Sequence, residues 1–212
     1  MRNISIIGAG ASGCFCAIEI KRRHPDACVT VYEAGPVPLA KVAVTGGGRC
    51  NFTNSFEGIR SIKEAYPRGE KLMKRALKVF SNTDCIEWFR KEGVPSVIQD
   101  DCCVFPESQD AMQIVGTLES LMHRLGVKVQ TNSRIVSLDS LMADSDAVVV
   151  TTGGGVPSFL DGLGLDIVPP VPSLFTFRIN DRELTSLMGT VVENASLRIA
   201  GEPFRSCGAL LV

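Results

Sequence analysis

The sequence carries almost no excess charge of either sign, has only two histidines, and contains no long apolar run. Its 22 basic and 23 acidic residues leave a formal charge of -1, with a pI near 6.1. No long-range field therefore draws nucleic acid or an anionic membrane to the chain, although a local basic patch stays open. With His24 and His123 the only histidines, a zinc site of about four ligands is hard to assemble, even though Cys14 and Cys16 form a C-x-C and Cys102 adjoins Cys103. No metal site is expected. No stretch approaches the roughly 20 apolar residues of a membrane span, and the apolar run at Ile4–Ile7 is too short for a signal peptide. The expectation is a soluble cytoplasmic protein with neither nucleic acid nor membrane as partner. The eight cysteines follow no secreted-scaffold spacing and lie within apolar or helical patterns, so reduced thiols are expected. Repeats and low-complexity tracts are also missing, which leaves one large domain, or a domain and a half, with a substantial core.

What is present is organised around Ile4–Glu33. Ile4–Ile7 is short and β-branched, as in a strand buried on both faces of a parallel sheet. Gly8-Ala9-Gly10-Ala11-Ser12-Gly13 follows as G-x-G-x-x-G. Gly8 permits a tight turn, Gly10 lets a pyrophosphate approach the backbone, and Gly13 lets the next helix pack on the strand. That helix, expected from about Ala11 to Arg23 and stopped by Pro25, aims its free N–H groups, those of Ala11 and Ser12 included, at an anion. Val29–Glu33 reads as the second strand. Glu33, 20 residues past Gly13, stands where a carboxylate accepts hydrogen bonds from an adenosine ribose and repels a 2′-phosphate, which disfavours NADP. The fold class expected is α/β, a Rossmann-like dinucleotide-binding domain with a parallel sheet followed by the start of a β-rich domain.

Lys41 to Asn54 contains Gly46-Gly47-Gly48-Arg49-Cys50-Asn51-Phe52-Thr53-Asn54. Three consecutive glycines suit neither a helix nor a strand interior. They offer backbone N–H groups beside a guanidinium and side-chain amides, the donors a polyanionic or heteroaromatic ligand needs; a plain surface loop is the other reading. Farther on, Lys71–Phe80 and Cys85–Phe89 read as two helical pieces. Trp88, at core spacing, is a packing residue rather than a ring stacked on a ligand. Val94–Pro106 reads as two short strands about Asp100-Asp101, and Ser108 or Asp110 caps a helix reaching about Leu125. Gly126–Thr131 and Ala147–Thr151 are the next strands of the sheet, the latter running into Thr152-Gly153-Gly154. Cys102 and Cys103 are expected to be structural thiols.

The segment Lys41–Asn54 resembles the signature of a bacterial flavoprotein family, the aminoacetone-oxidase-like or BaiN-like NAD(P)/FAD-dependent oxidoreductases. The glycine turn, Glu33, Val104-Phe105-Pro106 and Thr152-Gly153-Gly154 follow in the family's order across essentially the whole chain. The resemblance implies FAD at the first βαβ unit, with Gly46–Asn54 along its flavin half. It implies contacts from Lys41, Gly46, Gly47, Gly48, Arg49, Cys50, Asn51, Thr53, Asn54, Thr152, Gly153 and Gly154. NAD(P)H as reductant rests on the resemblance alone, and no catalytic base is named. After Pro157 the composition changes: Pro169-Pro170-Val171-Pro172 is a stiff linker, and Leu174–Ile179 and Thr190–Ile199 read as strands of a β-rich domain, which with the resemblance gives an FAD domain over 1–160 and a partial β-rich substrate domain over 161–212. Such a chain is the N-terminal half of the family architecture. The alternative function is a non-catalytic or partner-dependent FAD/ADP-binding module, self-associating through an unpaired final strand.

Overall fold

The computed structural model describes residues 2–161, 163–169 and 179–211. The chain divides into two compact units, Met1–Val168 and Pro169–Val212.

The first unit is built on a four-stranded parallel sheet. β1 (Asn3–Ile7) is followed by α1 (Ala11–Arg23), β2 (Cys28–Tyr32), the kinked α2 (Ala40–Gly48) and the short β3 (Thr53–Asn54). Next come α3 (Ile62–Ala65), α4 (Glu70–Val79), α5 (Asn82–Lys91), β4 (Ser96–Ile98) and β5 (Cys103–Pro106). α6 (Ala111–Arg124), β6 (Lys128–Gln130), α7 (Asp139–Asp144) and β7 (Ala147–Val150) complete the sequence of elements that forms the sheet. The spatial order is β6-β2-β1-β7, with every neighbouring pair parallel. The chain thus winds outward from β1 in both directions, and the gap between β1 and β7 is the switch point outside which ligands of open α/β sheets bind.

Burial explains the elements. Ile6 and Ile7 of β1, neighbours whose side chains point to opposite faces, are both buried, as expected for a sheet covered on both faces. Gly13, Cys14, Ala17 and Ile18 form one face of α1, the 3–4 spacing of a packing helix. Cys14, Ala17 and Ile18 join Ile114, Val115, Leu118, Leu121 and Met122 of α6 in the main core. The other face of the sheet is covered where Leu138 and Leu141 pack against Ile7. Asp110 caps α6 by accepting from the Met112 N–H at 2.8 Å, and Ser81 with Asp84 forms a capping box on α5. The two expected helical pieces before Gly93 are α4 and α5. The Asp100-Asp101 hairpin is β4–β5, to which β3 adds as a third antiparallel strand.

Two features depart from the sequence reading. Between Arg134 and Asp146, where the sequence reading names no element, the chain forms α7, and Leu138 and Leu141 supply the apolar face that packs it on the sheet. In the second unit α8 (Arg182–Ser186) precedes β8 (Val191–Arg198) and β9 (Arg205–Leu211), which pair antiparallel. The final strand is therefore paired on one edge, where an unpaired strand was expected. The strand expected at Leu174–Ile179 and the stiff segment Pro170–Pro172 lie outside the described residues, Ile179 excepted.

Candidate functional site

Because the sheet is parallel, the ends of β1, β2 and β7 open on one edge, and the glycine turn, Glu33 and Thr151–Gly154 meet there. Gly8 has φ +103°, and a Cβ on it would lie 2.5 Å from the Thr151 carbonyl oxygen. Its N–H donates to the Tyr32 carbonyl at 2.7 Å. Thr151 Oγ1 donates to the carbonyls of both Ile7 and Gly8 at 2.9 Å. Gly13 is tighter still, its absent Cβ lying 2.0 Å from the Gly8 carbonyl oxygen. These two glycines satisfy the protein's own packing.

Gly10 differs. Its φ of -81° suits any residue, and a Cβ there would meet no atom within 4 Å. Neither backbone strain nor packing asks for glycine at this position, so the space it leaves is space for something else. Gly10 also stands at the N-cap of α1 without a side-chain cap, and the first turn holds no acidic residue. The helix therefore presents bare N–H groups and its positive dipole end to that space.

Glu33 is half-buried and fixed from two sides. One carboxylate oxygen accepts from the Ala9 N–H at 2.9 Å and the other from the Gly35 N–H at 2.8 Å. A carboxylate has about four acceptor sites, so roughly two remain for hydroxyl donors, already aimed.

Two cavities flank the turn and share Gly8, Glu33 and Thr152. One, of about 500 Å³, is lined by those residues with Ser133, Val136, Gly154 and Phe159. The other, of about 690 Å³, holds Gly10, Ala11, Ser12, Lys41, Cys50, Asn51 and Gly153 against an apolar wall that includes Phe15, Leu39, Phe52 and Phe80. Lys41 reaches toward Gly153, its Nζ 3.9 Å from where a Cβ would stand. Its ammonium makes no ion pair among the described residues, so a positive charge is free on the cavity wall.

Of the residues singled out from sequence, Gly8, Gly10, Ala11, Ser12, Glu33, Lys41, Cys50, Asn51, Thr152, Gly153 and Gly154 line these cavities. Gly13 lies beneath them as packing. Gly46, Gly47, Gly48, Arg49, Thr53 and Asn54 lie off both walls. Gly46 has φ +59°, and its missing Cβ would lie 2.7 Å from the Asn51 nitrogen, so the glycine run is the turn that delivers Cys50 and Asn51 to the cavity. The Arg49 guanidinium sits 4.4 Å over the Phe105 ring and donates to the Gly46 carbonyl at 3.2 Å. Thr53 and Asn54 pair with β5. Trp88 donates to Glu19 at 2.9 Å and stacks among Phe15 and Phe89 as core. The Thr151 clamp and the phenylalanine wall had no signature in the sequence, because they are assembled from α1, α4–α5 and β7 only in space.

Cys50 and Cys85 both line the larger cavity, and burial pushes each thiol up to about 11. At pH 8 that leaves about one thiolate in a thousand, against roughly one in four for an ordinary cysteine. Both side chains act as small packing groups. Iodoacetamide at pH 8 is expected to label exposed Cys207 at least tenfold faster than either, as followed by peptide mass mapping; rapid labelling of Cys50 would show a reactive thiol on the cavity wall instead of a packing group. Among the described residues no group of three or more His, Cys, Asp or Glu is placed to hold a metal ion, and no helix is long and apolar enough to cross a membrane.

Comparison with known proteins adds the following. The family described as "HI0933-like protein Rossmann domain" matches residues 2–158. A ribosomal RNA dihydrouridine synthase of Haemophilus influenzae is 28% identical, aligned over 94% of this chain and 55% of its own length. A 3-dehydro-bile acid delta(4,6)-reductase of Clostridium scindens is 27% identical over 89% of this chain and 50% of its own. A ribosomal RNA dihydrouridine synthase of Escherichia coli is 27% identical over 94% and 54%. The chain thus spans about half the length of these curated relatives.

Proposed function

Because the chain belongs to the HI0933-like Rossmann family, we propose that it is the cofactor-binding part of an FAD-dependent oxidoreductase. The observation that carries this reading is the open space over Gly10 at the uncapped N-terminus of α1. The N–H groups of Ala11 and Ser12 hold a pyrophosphate there, and Lys41 neutralises it from the opposite wall. Glu33 takes the ribose hydroxyls with its two remaining acceptor positions, on the side of the smaller cavity. The larger cavity, apolar and edged by Asn51, Thr152 and Gly153, receives the flavin half. Gly46–Gly48 and Arg49 act through the turn that positions Asn51, and Thr53 and Asn54 through the β3–β5 pairing. FAD, when bound, supplies hydride transfer; the chain supplies binding, orientation and an apolar wall that excludes water.

The relatives' names suggest the substrate class. A dihydrouridine synthase and a delta(4,6)-reductase both act at a carbon–carbon double bond conjugated to a carbonyl, and we assign that bond type to this protein, with NAD(P)H as the reductant. The small-molecule reading follows the C. scindens relative; a second reading, uridine in RNA, follows the two synthases. The eight unbridged cysteines fit a reducing, cytoplasmic setting. A purely binding or partner-dependent module remains the alternative, supported by the apolar exposure of Ile199 and Phe204 in the second unit.

The test is the absorption spectrum of the purified chain, followed by anaerobic addition of NADH or NADPH. Yellow protein that bleaches and recovers in air supports the oxidoreductase. Yellow protein that neither nicotinamide reduces supports the module. Protein that retains neither FAD nor ADP overturns both.

A further inference from the structure

The near-neutral total conceals a local imbalance. Residues 60–78 hold seven basic side chains, Arg60, Lys63, Arg68, Lys71, Lys74, Arg75 and Lys78, against Glu64 and Glu70, a net of +5. The remainder of the chain therefore carries -6. All seven are exposed. Among the described residues only Lys74 of the seven is in an ion pair, with Glu70 at 2.6 Å; on α1 and α5, by contrast, Arg22, Arg23, Arg90 and Lys91 are all matched to glutamates. Helical spacing groups the cations of α4 on one side: Lys71, Lys74, Arg75 and Lys78 fall within about a third of a turn of one another, while Met73 and Leu77 occupy the opposite side. Those two are half-buried, so the basic side is the one turned to solvent. Tyr66, between Lys63 and Arg68, is 36% exposed. Directly after α4, Phe80 stacks on Phe15 at 5.1 Å and forms part of the wall of the larger cavity.

We infer that the α3–α4 surface is a binding track for single-stranded RNA leading to the flavin cavity. The inference rests on the RNA reading of that same site and names the surface that reading requires. Unpaired cations in a row follow a phosphate backbone, an exposed aromatic between them offers a face for a base, and this combination marks single-strand binding surfaces. A small neutral or monoanionic substrate needs no such row. Met73 and Leu77 are half-buried, whereas Leu72 and Val79 of the same helix are 70% and 86% exposed, so an anionic bilayer is the competing occupant of this helix; the tyrosine between the cations favours RNA, and the vesicle arm of the experiment separates the two.

The experiment uses the whole chain and fluorescence anisotropy with a labelled, uridine-containing single-stranded RNA across a salt series. Binding is expected at low salt. The variant K71Q/K74Q/R75Q/K78Q is expected to weaken it at least tenfold and to flatten the salt dependence by about 0.7 in log–log slope for each phosphate that the protein no longer neutralises. Tyr66→Ala is expected to weaken binding roughly fivefold or more with the slope unchanged, since stacking releases no counterions. Retention of FAD or ADP by each variant shows that the fold is intact. No RNA binding by the unaltered chain, or equal binding by the quadruple variant, overturns the inference, as does capture of the chain by phosphatidylserine vesicles with RNA ignored. Flavin retention without RNA binding removes the track and leaves the oxidoreductase standing; RNA binding without flavin retention does the reverse.

Discussion

Gly10→Val is expected to abolish retention of FAD and of ADP while leaving the first unit folded. The backbone at Gly10 has φ -81° and ψ -173°, extended geometry open to a β-branched residue, and no atom stands within 4 Å of a new Cβ. The cost to the free protein is that of a poorer N-cap, about 1 kcal/mol, or a melting temperature lower by roughly 2–4 °C for a unit of this size. The isopropyl group instead fills the space through which a pyrophosphate reaches the N–H groups of Ala11 and Ser12. Removal of a charge-assisted hydrogen bond at the helix end, together with the displacement it forces, is expected to weaken binding at least about 100-fold, close to 2.7 kcal/mol. Thermal unfolding with and without FAD, alongside a binding titration, separates the two effects. A variant that binds FAD as tightly as the parent chain would show that nothing occupies that space, and the turn would revert to a structural feature.

The extent to which the site was legible in sequence follows from how local each signal is. Strand, glycine turn, helix and second strand lie within Ile4–Glu33, and each carries its own pattern, so β1, α1 and β2 appear where the spacing predicts them. Glu33 was legible as the acid that follows β2, the position on which the proposal of a ribose acceptor rests. Its two bonds to the Ala9 and Gly35 N–H groups were not, since they depend on how the β2 end curls back over the turn. Arg49 is the opposite case. A guanidinium after three glycines reads as a ligand contact, yet Phe105, 56 residues on, takes the cation onto its ring, and sequence carries no trace of that pairing. The basic track on α4 was hidden differently: the helix was recognised by Leu72, Met73, Ala76, Leu77 and Val79, while its cations were averaged into a total near zero. Charge acts over about a Debye length, near 10 Å in ordinary buffers, so its sum over a whole chain says little about one helix.

Gly13→Ala, three residues from Gly10, is expected to do the reverse and destabilise the fold itself. Its Cβ would lie 2.0 Å from the Gly8 carbonyl oxygen and 2.7 Å from Thr151 Oγ1. The side chain could rotate away, but the carbonyl cannot, because Gly8 is held on every side. Its N–H is bonded to Tyr32 at 2.7 Å, its carbonyl accepts from Thr151, and any shift toward β7 meets the Thr151 backbone. Relief therefore requires moving the start of α1 off the β1 end, which opens the packing of Cys14, Ala17 and Ile18 in the core. Overpacking of this kind costs about 3 kcal/mol, which corresponds to a melting temperature roughly 6–12 °C lower at this size. Adding Thr151→Ala distinguishes the causes, since it deletes the Oγ1 clash and leaves the carbonyl clash in place. Stability is expected to stay low in the double variant; recovery to the parent value would mean that α1 is held by the Thr151 side chain and that Gly13 is not where helix and strand are locked together.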